Sequence, residues 1–181
     1  MKIFYLLIIA VLLASGCVQQ WQEEEIKIGF IGPLSGELAN WGTSLQGGVR
    51  LAVDEINKEG KIRMDVIYED DQCDKTKSVS ALRKLIDVDN VKIVIGPMCS
   101  GTVLSDAPVA EQNKVVLFGF GSASAISNAG DYIFRPAYSD AYQGKFLAEN
   151  IVKKYNNVAA IYVNNDYGLG LFDGFKENFV K

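Results

Sequence analysis

The stretch IKIGFIGPLSG, residues 26–36, decides the fold class of this chain. Its first six residues are mostly apolar and isoleucine-rich, which predicts a buried β-strand over residues 26–31. The glycine, proline and serine that follow predict a turn. Beyond the turn, apolar residues recur at helical spacing between about Ser44 and Lys58, and Gly60 is a helix stop signal. The opening segment is therefore a strand, a turn and an amphipathic helix.

The same strand and helix alternation continues along the rest of the chain. Further strands are predicted over 64–68, 92–95, 115–118 and 158–163, with a short extended piece at 132–135, and helices over 76–88, 102–112, 140–155 and 168–181. Alternation of this kind predicts an α/β fold, a doubly wound parallel sheet with helices on both faces. Ligands of such sheets bind at the carboxyl ends of the strands. The loops after Ile31, Tyr68, Ile95 and Phe118 therefore form the candidate site.

Composition excludes several classes of function. The 181 residues carry 18 Lys and Arg against 22 Asp and Glu, a formal net charge of -4, and no basic block, so nucleic acid is not expected as a partner. The chain has no histidine, which removes the commonest general base and the commonest metal ligand. No G-x-S-x-G nucleophile motif occurs. We expect no enzyme, no cofactor and no metal, and we expect Asp70 and Asp71 to shape the loop around Cys73.

The N-terminus predicts export. Lys2 precedes an apolar run over residues 3–13, which is shorter than the about 20 residues that a membrane span needs and is typical of a signal peptide. Small residues then lead to Cys17, a pattern that resembles a lipobox and implies cleavage before Cys17 with lipid on its sulfur. We therefore predict a lipoprotein signal peptide over residues 1–16 and a tether over 17–25. An uncleaved signal anchor is the alternative.

Two further cysteines remain once Cys17 is assigned to lipid. Cys73 and Cys99 form an even pair, and a pair outside the cytoplasm is expected to oxidise. A bridge that closes a loop of about 25 residues could stabilise the fold by roughly 3 kcal/mol. The alternative is two unpaired buried thiols.

Eight short motifs occur in order along the chain. They are IGFIGPLSG (28–36), ANWGTSLQGG (39–48), LAVDEINKEG (51–60), YEDDQCD (68–74), VIGPMCS (94–100), GDYIFR (130–135), SDAYQG (139–144) and NNDYGLG (164–170). Together they resemble the leucine and branched-chain amino-acid binding proteins of ABC importers, which have the type I periplasmic binding fold. The resemblance implies a Rossmann-like first lobe over 26–137 and, over 138–181, the start of a second lobe that the 181 residues do not complete.

The resemblance also implies how the loops are used. In that family a disulfide joins the loops after the second and third strands, which implies a Cys73–Cys99 bridge beside the ligand mouth. Ser100 matches a serine that donates to the ligand carboxylate, and the alternative is an N-cap that serves only the helix. A helix N-terminus at this place would favour an anion.

Three other positions complete the implied site. The loop Ser122, Ala123 and Ser124 matches a second carboxylate-binding segment, in which Ser124 corresponds to a threonine donor and Ser122 is the second choice. A flexible small-residue loop is one alternative, and a phosphate loop is disfavoured because G-x-G-x-x-G is absent. Trp41 matches an aromatic residue that packs on the ligand side chain, with a core or cap role as the alternative. Tyr167 matches a tyrosine that faces the cleft from the second lobe.

The implied function is amino-acid transport. The resemblance describes an extracytoplasmic, lipid-anchored solute-binding protein that takes up free leucine, isoleucine or valine and delivers it to ABC permease subunits. A ligand-binding sensor or receptor module is the alternative, because receptors reuse this fold. In the family an acidic residue deeper in the second lobe holds most of the ligand ammonium. The 181 residues are therefore expected to bind with impaired affinity.

Overall fold

The structure is a computed structural model that describes residues 25–179. The predicted signal peptide, Cys17 and nearly all of the predicted tether lie outside these residues. The elements in chain order are β1 Glu25–Gly32, α1 Ala39–Glu59, β2 Arg63–Asp70, α2 Lys75–Asp87, β3 Ile93–Ile95, α3 Ser100–Asn113, β4 Val116–Phe118, a 3₁₀ helix Ser124–Asn128, β5 Ile133–Phe134, α4 Asp140–Ile151 and α5 Asp166–Asn178.

The five strands form one parallel sheet in the order β2-β1-β3-β4-β5. The predicted doubly wound parallel α/β sheet is therefore confirmed. The strand order reverses at β1, which has β2 on one side and β3 on the other. In an open α/β sheet such a reversal opens a crevice at the carboxyl ends of the strands, where ligands bind.

The hydrophobic core follows the pleat of β1. Successive side chains of a strand point to opposite faces. Phe30 and Ile31, which are both fully buried, therefore pack on opposite sides of the sheet. Ile31 packs in the main apolar cluster with α2 and α3, whose fully buried members include Leu82, Leu85 and Val103. Helix α1 contacts β1 and β2 but buries only Gly42 and Val49.

Helix α1 begins five residues before the predicted start at Ser44. The hydroxyls of Thr43 and Ser44 donate to the carbonyls of Ala39 and Asn40 at 2.7 Å, so both residues lie inside the helix rather than capping it. The N-cap of α1 is Leu38, which makes no side-chain cap bond, so no capping signal marks the start of the helix in the sequence. The predicted stop is confirmed, because Gly60 is left-handed with φ 69°.

The predicted buried strand over residues 158–163 is wrong. This segment is exposed throughout, with the Ile161 side chain fully in solvent, and no strand pairs with it among the described residues. Its apolar and β-branched residues favour a β-strand, but a strand is stable only when its backbone hydrogen-bonds to a neighbouring strand. Helix α4 also ends at Ile151, four residues before the predicted Tyr155, where the chain turns through Tyr155 N–H donating to the Ile151 carbonyl at 3.0 Å.

Candidate functional site

The loops at the carboxyl edge of the sheet are tied to one another. Asp70, the last residue of β2, accepts the Leu34 N–H at 2.8 Å and the Ser35 hydroxyl at 2.5 Å in the loop after β1. Partial burial acts to raise the pKa of Asp70, but the hydrogen bonds from Ser35, Leu34 and Gln72 together lower it. Asp70 also accepts the Gln72 N–H at 3.1 Å, next to Cys73, a contact consistent with the expectation that it shapes the loop around that cysteine.

A disulfide joins the loops after β2 and β3. Cys73 and Cys99 are bonded in the structure, with their Cα atoms 5.7 Å apart and a sequence separation of 26. Gln72 and Cys73 have φ of 50° and 54°, a left-handed turn that is uncommon for residues with side chains. The Asp71 carboxylate accepts the Cys73 N–H at 2.9 Å and so holds this turn.

Ser100 lies where the loops after β3 and β4 meet. It is the buried first residue of α3, and the preceding residue, Cys99, is the N-cap and makes no side-chain cap bond. The Ser100 Oγ accepts the N–H groups of Ser122 and Ala123, both at 3.1 Å. In this structure the hydroxyl therefore binds the neighbouring loop instead of capping its own helix. Among the described residues the Ser100 hydroxyl proton has no acceptor.

Free backbone donors surround this serine. In the first turn of α3, the N–H groups of Thr102 and Val103 donate to the Cys99 carbonyl, and they are the first in the helix with a backbone acceptor. No acceptor for the Ser100 and Gly101 N–H groups occurs within residues 25–179. Free N–H groups at the positive end of a 14-residue helix, next to a hydroxyl, are suited to bind a carboxylate.

The loop after β4 fits closely against α3. A Cβ added to Gly121 would lie 2.6 Å from the Ser100 Cα, so only glycine allows this approach. Ser124 begins the 3₁₀ helix, is partly buried, and its hydroxyl makes no hydrogen bond within the described part of the chain. The structure thus brings Ser100, Ser122 and Ala123 together, with Ser124 next in the same loop.

Trp41 and Tyr167 lie on two other helices, α1 and α5. Trp41, in the first turn of α1, is 66% exposed, so it is not a core residue of this structure. Tyr167 lines a cavity of about 860 Å³ between α4, α5 and the segment 157–163. Their predicted ligand contacts stay predictions.

The residue before Tyr167 does reach the site. The Asp166 carboxylate forms an ion pair with Lys75 at 2.8 Å. A Cβ on Gly101 would lie 2.5 Å from the Asp166 Oδ2, so the first turn of α5 lies against the N-terminus of α3. Helix α5 and the predicted carboxylate-binding helix α3 are therefore neighbours.

Asp140 is a buried acid beside this loop that sequence reasoning did not single out. It is fully buried at the start of α4, and its N–H donates to the Ser122 carbonyl at 2.8 Å. Neither carboxylate oxygen has a hydrogen-bond partner within residues 25–179. Burial raises the pKa of Asp140, while the nearby Ser122 hydroxyl and Arg135 cation act to lower it. In sequence this residue is an ordinary acid in the first turn of a helix.

A second group of buried acids lies beneath the disulfide loop. Asp71 and Asp106 are both fully buried, and the buried Ser78 hydroxyl donates to Asp106 at 2.7 Å. Burial, together with the charge of Asp71, raises the pKa of Asp106 to about 7 against the opposing hydrogen bond from Ser78. Burial likewise raises the pKa of Asp71. Each acid keeps one oxygen without a partner in the described part of the chain.

Within residues 25–179, no cluster of three or more acidic or cysteine side chains could hold a metal ion. In the same residues no helix has both the length and the apolarity to cross a membrane.

Comparison with known proteins identifies the family. A family model described as periplasmic binding protein matches residues 25–181. The leucine-specific-binding protein of Salmonella typhimurium is 30% identical over 181 residues, covering 94% of this chain and 49% of that protein. The chain thus spans about half the length of the curated relatives it matches.

Two solved structures illustrate the likeness. The branched-chain amino acid transporter substrate binding protein LivJ from Streptococcus pneumoniae, in complex with isoleucine, has a TM-score of 0.77 and 30% identity over 86% of this chain and 47% of that one. A solute binding protein of an ABC transporter from Rhodopseudomonas palustris BisB5, in complex with 3,4-dihydroxybenzoic acid, has a TM-score of 0.77 and 26% identity over 87% and 44%. The predicted resemblance is confirmed: this chain belongs to the periplasmic binding protein family, and its relatives include leucine- and branched-chain amino-acid-binding proteins.

Proposed function

We propose that this chain is the carboxylate-binding part of an extracytoplasmic solute-binding protein that takes up branched-chain amino acids for an ABC importer. The observation that carries the proposal is the group of free donors at the start of α3. The Ser100 hydroxyl and the N–H groups of Ser100 and Gly101 have no acceptor within residues 25–179. Relatives named for leucine, isoleucine and valine binding support this ligand class.

The chemistry of the donors fits one end of an amino acid. A carboxylate could accept from the Ser100 hydroxyl, from the α3 N-terminus and from the Ser124 hydroxyl, which makes no hydrogen bond within residues 25–179. The α3 dipole adds a favourable positive potential. Trp41 at the start of α1 would then cover the apolar side chain of the ligand, and Tyr167 would approach from α5.

Isothermal titration calorimetry with L-leucine, L-isoleucine and L-valine tests the proposal. 3,4-Dihydroxybenzoate is the comparison ligand, because a relative of known structure binds it. We expect the three amino acids to bind and the benzoate to bind more weakly. Preference for the benzoate would instead identify an aromatic acid as the ligand class.

We also propose that the isolated 181 residues bind leucine more weakly than a relative of full length does. In the resembling family most ammonium contacts come from a part of the second lobe that these residues do not match. Micromolar leucine affinity of the 181-residue chain would contradict this, because about 8 kcal/mol of binding free energy would then come from half of a cleft.

Export, lipidation and the disulfide belong to the same proposal. Removal of residues 1–16, lipid on Cys17 and an oxidised Cys73–Cys99 pair would place the chain on the outer side of the cytoplasmic membrane. Membrane fractionation of the wild-type chain and of Cys17→Ser tests the lipid anchor. We expect the wild type in the membrane fraction and only the variant in the soluble fraction. Mass spectrometry without reductant tests the disulfide.

A further inference from the structure

We propose that the Lys75–Asp166 ion pair holds α5 over the carboxylate donors at the start of α3 and so slows the release of a bound ligand. This role rests on the proposed function and adds two positioning residues to it. They act by fixing the position of a helix and need not touch the ligand.

The pair connects the sheet to the helices that follow it. Lys75 is the first residue of α2, and Asp166 is the first residue of α5. The Lys75 Nζ and the Asp166 Oδ2 are 2.8 Å apart. Every other ion pair within residues 25–179 joins two residues that both precede β5 or both follow it. Among the described residues, this pair is therefore the one ionic link between α5 and the sheet.

The pair lies directly over the first turn of α3. A Cβ added to Gly101 would lie 2.5 Å from the Asp166 Oδ2 and 2.7 Å from the Lys75 Cε. Both charged side chains therefore pass over the residue whose N–H is one of the free donors at this helix end. The positive end of the α3 dipole also attracts the Asp166 carboxylate, so the helix end and Lys75 hold the same group.

An uncharged contact fixes α5 one turn later. A Cβ added to Gly170 would lie 3.5 Å from the Cα of Ala123, which is an ordinary van der Waals distance. The Ala123 N–H in turn donates to the Ser100 Oγ at 3.1 Å. Helix α5 thus meets both loops of the candidate site, through packing at Ala123 and through the ion pair at Gly101. A carboxylate bound at the start of α3 is therefore next to α5, and it leaves freely only when α5 moves aside.

Both side chains of the pair are partly in solvent. The Lys75 side chain is 58% exposed and the Asp166 side chain is 35% exposed. An ion pair this exposed contributes little to the stability of a fold and is weakened by salt. It can therefore break and re-form without unfolding either helix, which is what a contact that opens for each ligand requires.

The two partners should not have equal effects on binding. Without Lys75, the Asp166 charge would be unpaired next to the donors and would repel the ligand carboxylate. Without Asp166, the contact is lost but no negative charge remains, and Lys75 keeps a favourable positive potential. Removing Lys75 should therefore weaken binding more than removing Asp166 does, and removing Asp166 as well should restore part of the loss.

The test follows leucine binding and release in ¹H–¹⁵N spectra, with line-shape analysis, for wild type, Lys75→Gln, Asp166→Asn and the double variant. We expect Kd to rise about fivefold in Lys75→Gln and about twofold in Asp166→Asn, chiefly through faster dissociation, and the double variant to match Asp166→Asn. About 0.5 M NaCl should remove most of these differences. Lys84→Gln is the matched control, because it breaks an ion pair between the same helix and Glu69 of β2 and should bind leucine as wild type does.

A measurement without ligand separates the pair from the proposed function. In the first turn of α5 the Gly168 N–H donates to the Asn165 side chain at 2.9 Å, and the Leu169 N–H donates to the Asn165 carbonyl at 2.9 Å. We expect hydrogen exchange of this turn, followed by mass spectrometry, to be about two- to fivefold faster in Lys75→Gln than in wild type or Lys84→Gln.

Three results would overturn the role of the pair. These are unchanged hydrogen exchange in Lys75→Gln, leucine dissociation that is the same in wild type and Lys75→Gln, and losses of affinity that multiply in the double variant, as those of independent residues do. A wild-type chain that binds no branched-chain amino acid refutes the proposed function, while the exchange measurement still decides whether the pair holds α5.

Discussion

Replacing Asp106 by asparagine should change how the stability of this protein depends on pH. Asp106 lies on α3 and Asp71 directly follows β2, both fully buried, and the Ser78 hydroxyl of α2 donates to Asp106 at 2.7 Å. The pair thus joins three elements beneath the Cys73 turn. Asparagine keeps the shape and an acceptor oxygen for Ser78 but cannot ionise.

The magnitude follows from the two pKa values of Asp106. Burial raises the pKa to about 7 in the folded chain, against 3.8 as its ordinary value. Between these pH values the folded state binds more protons than the unfolded state, so the free energy of unfolding falls as pH rises from about 4 to about 7. Three pH units at about 1.4 kcal/mol each amount to a loss of about 4 kcal/mol.

The assay is urea unfolding of the oxidised chain, followed by circular dichroism across this pH range. We expect Asp106→Asn to match wild type near pH 4 and to exceed its unfolding free energy by up to about 4 kcal/mol near pH 8. Asp54→Asn, an exposed acid on α1, is the control and should run parallel to wild type. Parallel curves for wild type and Asp106→Asn would refute the reasoning.

Three further predictions concern the site loops. Ser100→Ala should cost about 1–3 kcal/mol of unfolding free energy and weaken leucine binding, because the two N–H groups that its Oγ accepts lose their partner; unchanged urea curves and leucine titrations would contradict this. Gly121→Ala should cost about 1–3 kcal/mol in urea unfolding because its Cβ would press on Ser100, whereas Gly47→Ala, which meets nothing within 4 Å, should stabilise α1 by up to about 1 kcal/mol. Combined replacement of Cys73 and Cys99 by serine should lower the unfolding free energy by about 3 kcal/mol, and a melting temperature equal to wild type would count against it.

The sheet could be predicted because short apolar runs alternate with helical patterns, and because β1, buried from Ile28 to Gly32, is followed directly by turn residues. The helix stop at Gly60 followed from local chemistry, since left-handed backbone favours glycine. The start of α1 did not, because its N-cap, Leu38, makes no side-chain cap bond that the sequence could signal. Residues 158–163 have the composition of a β-strand, but no other strand among the described residues pairs with them.

The candidate site also has parts that the sequence could predict and parts that it could not. Its loops could be placed because parallel strands end at a common edge, which brought Ser100 and Ser122 together. Asp140 and Asp106 could not be recognised, because their importance lies in being buried without full hydrogen bonding. Burial of an acid depends on which helix covers it, and nothing in the local sequence specifies that.

The exposed indole of Trp41 gives this protein a spectroscopic signal of its own. The chain has two tryptophans, and Trp41 is the one within residues 25–179, 66% exposed in the first turn of α1. An indole in water fluoresces at longer wavelength than one covered by apolar groups. In a Trp21→Phe background Trp41 would be the one remaining tryptophan, which can be excited apart from the tyrosines at long wavelength. A leucine side chain that packs on it would shift the emission to the blue, so occupancy could be followed in real time without a label.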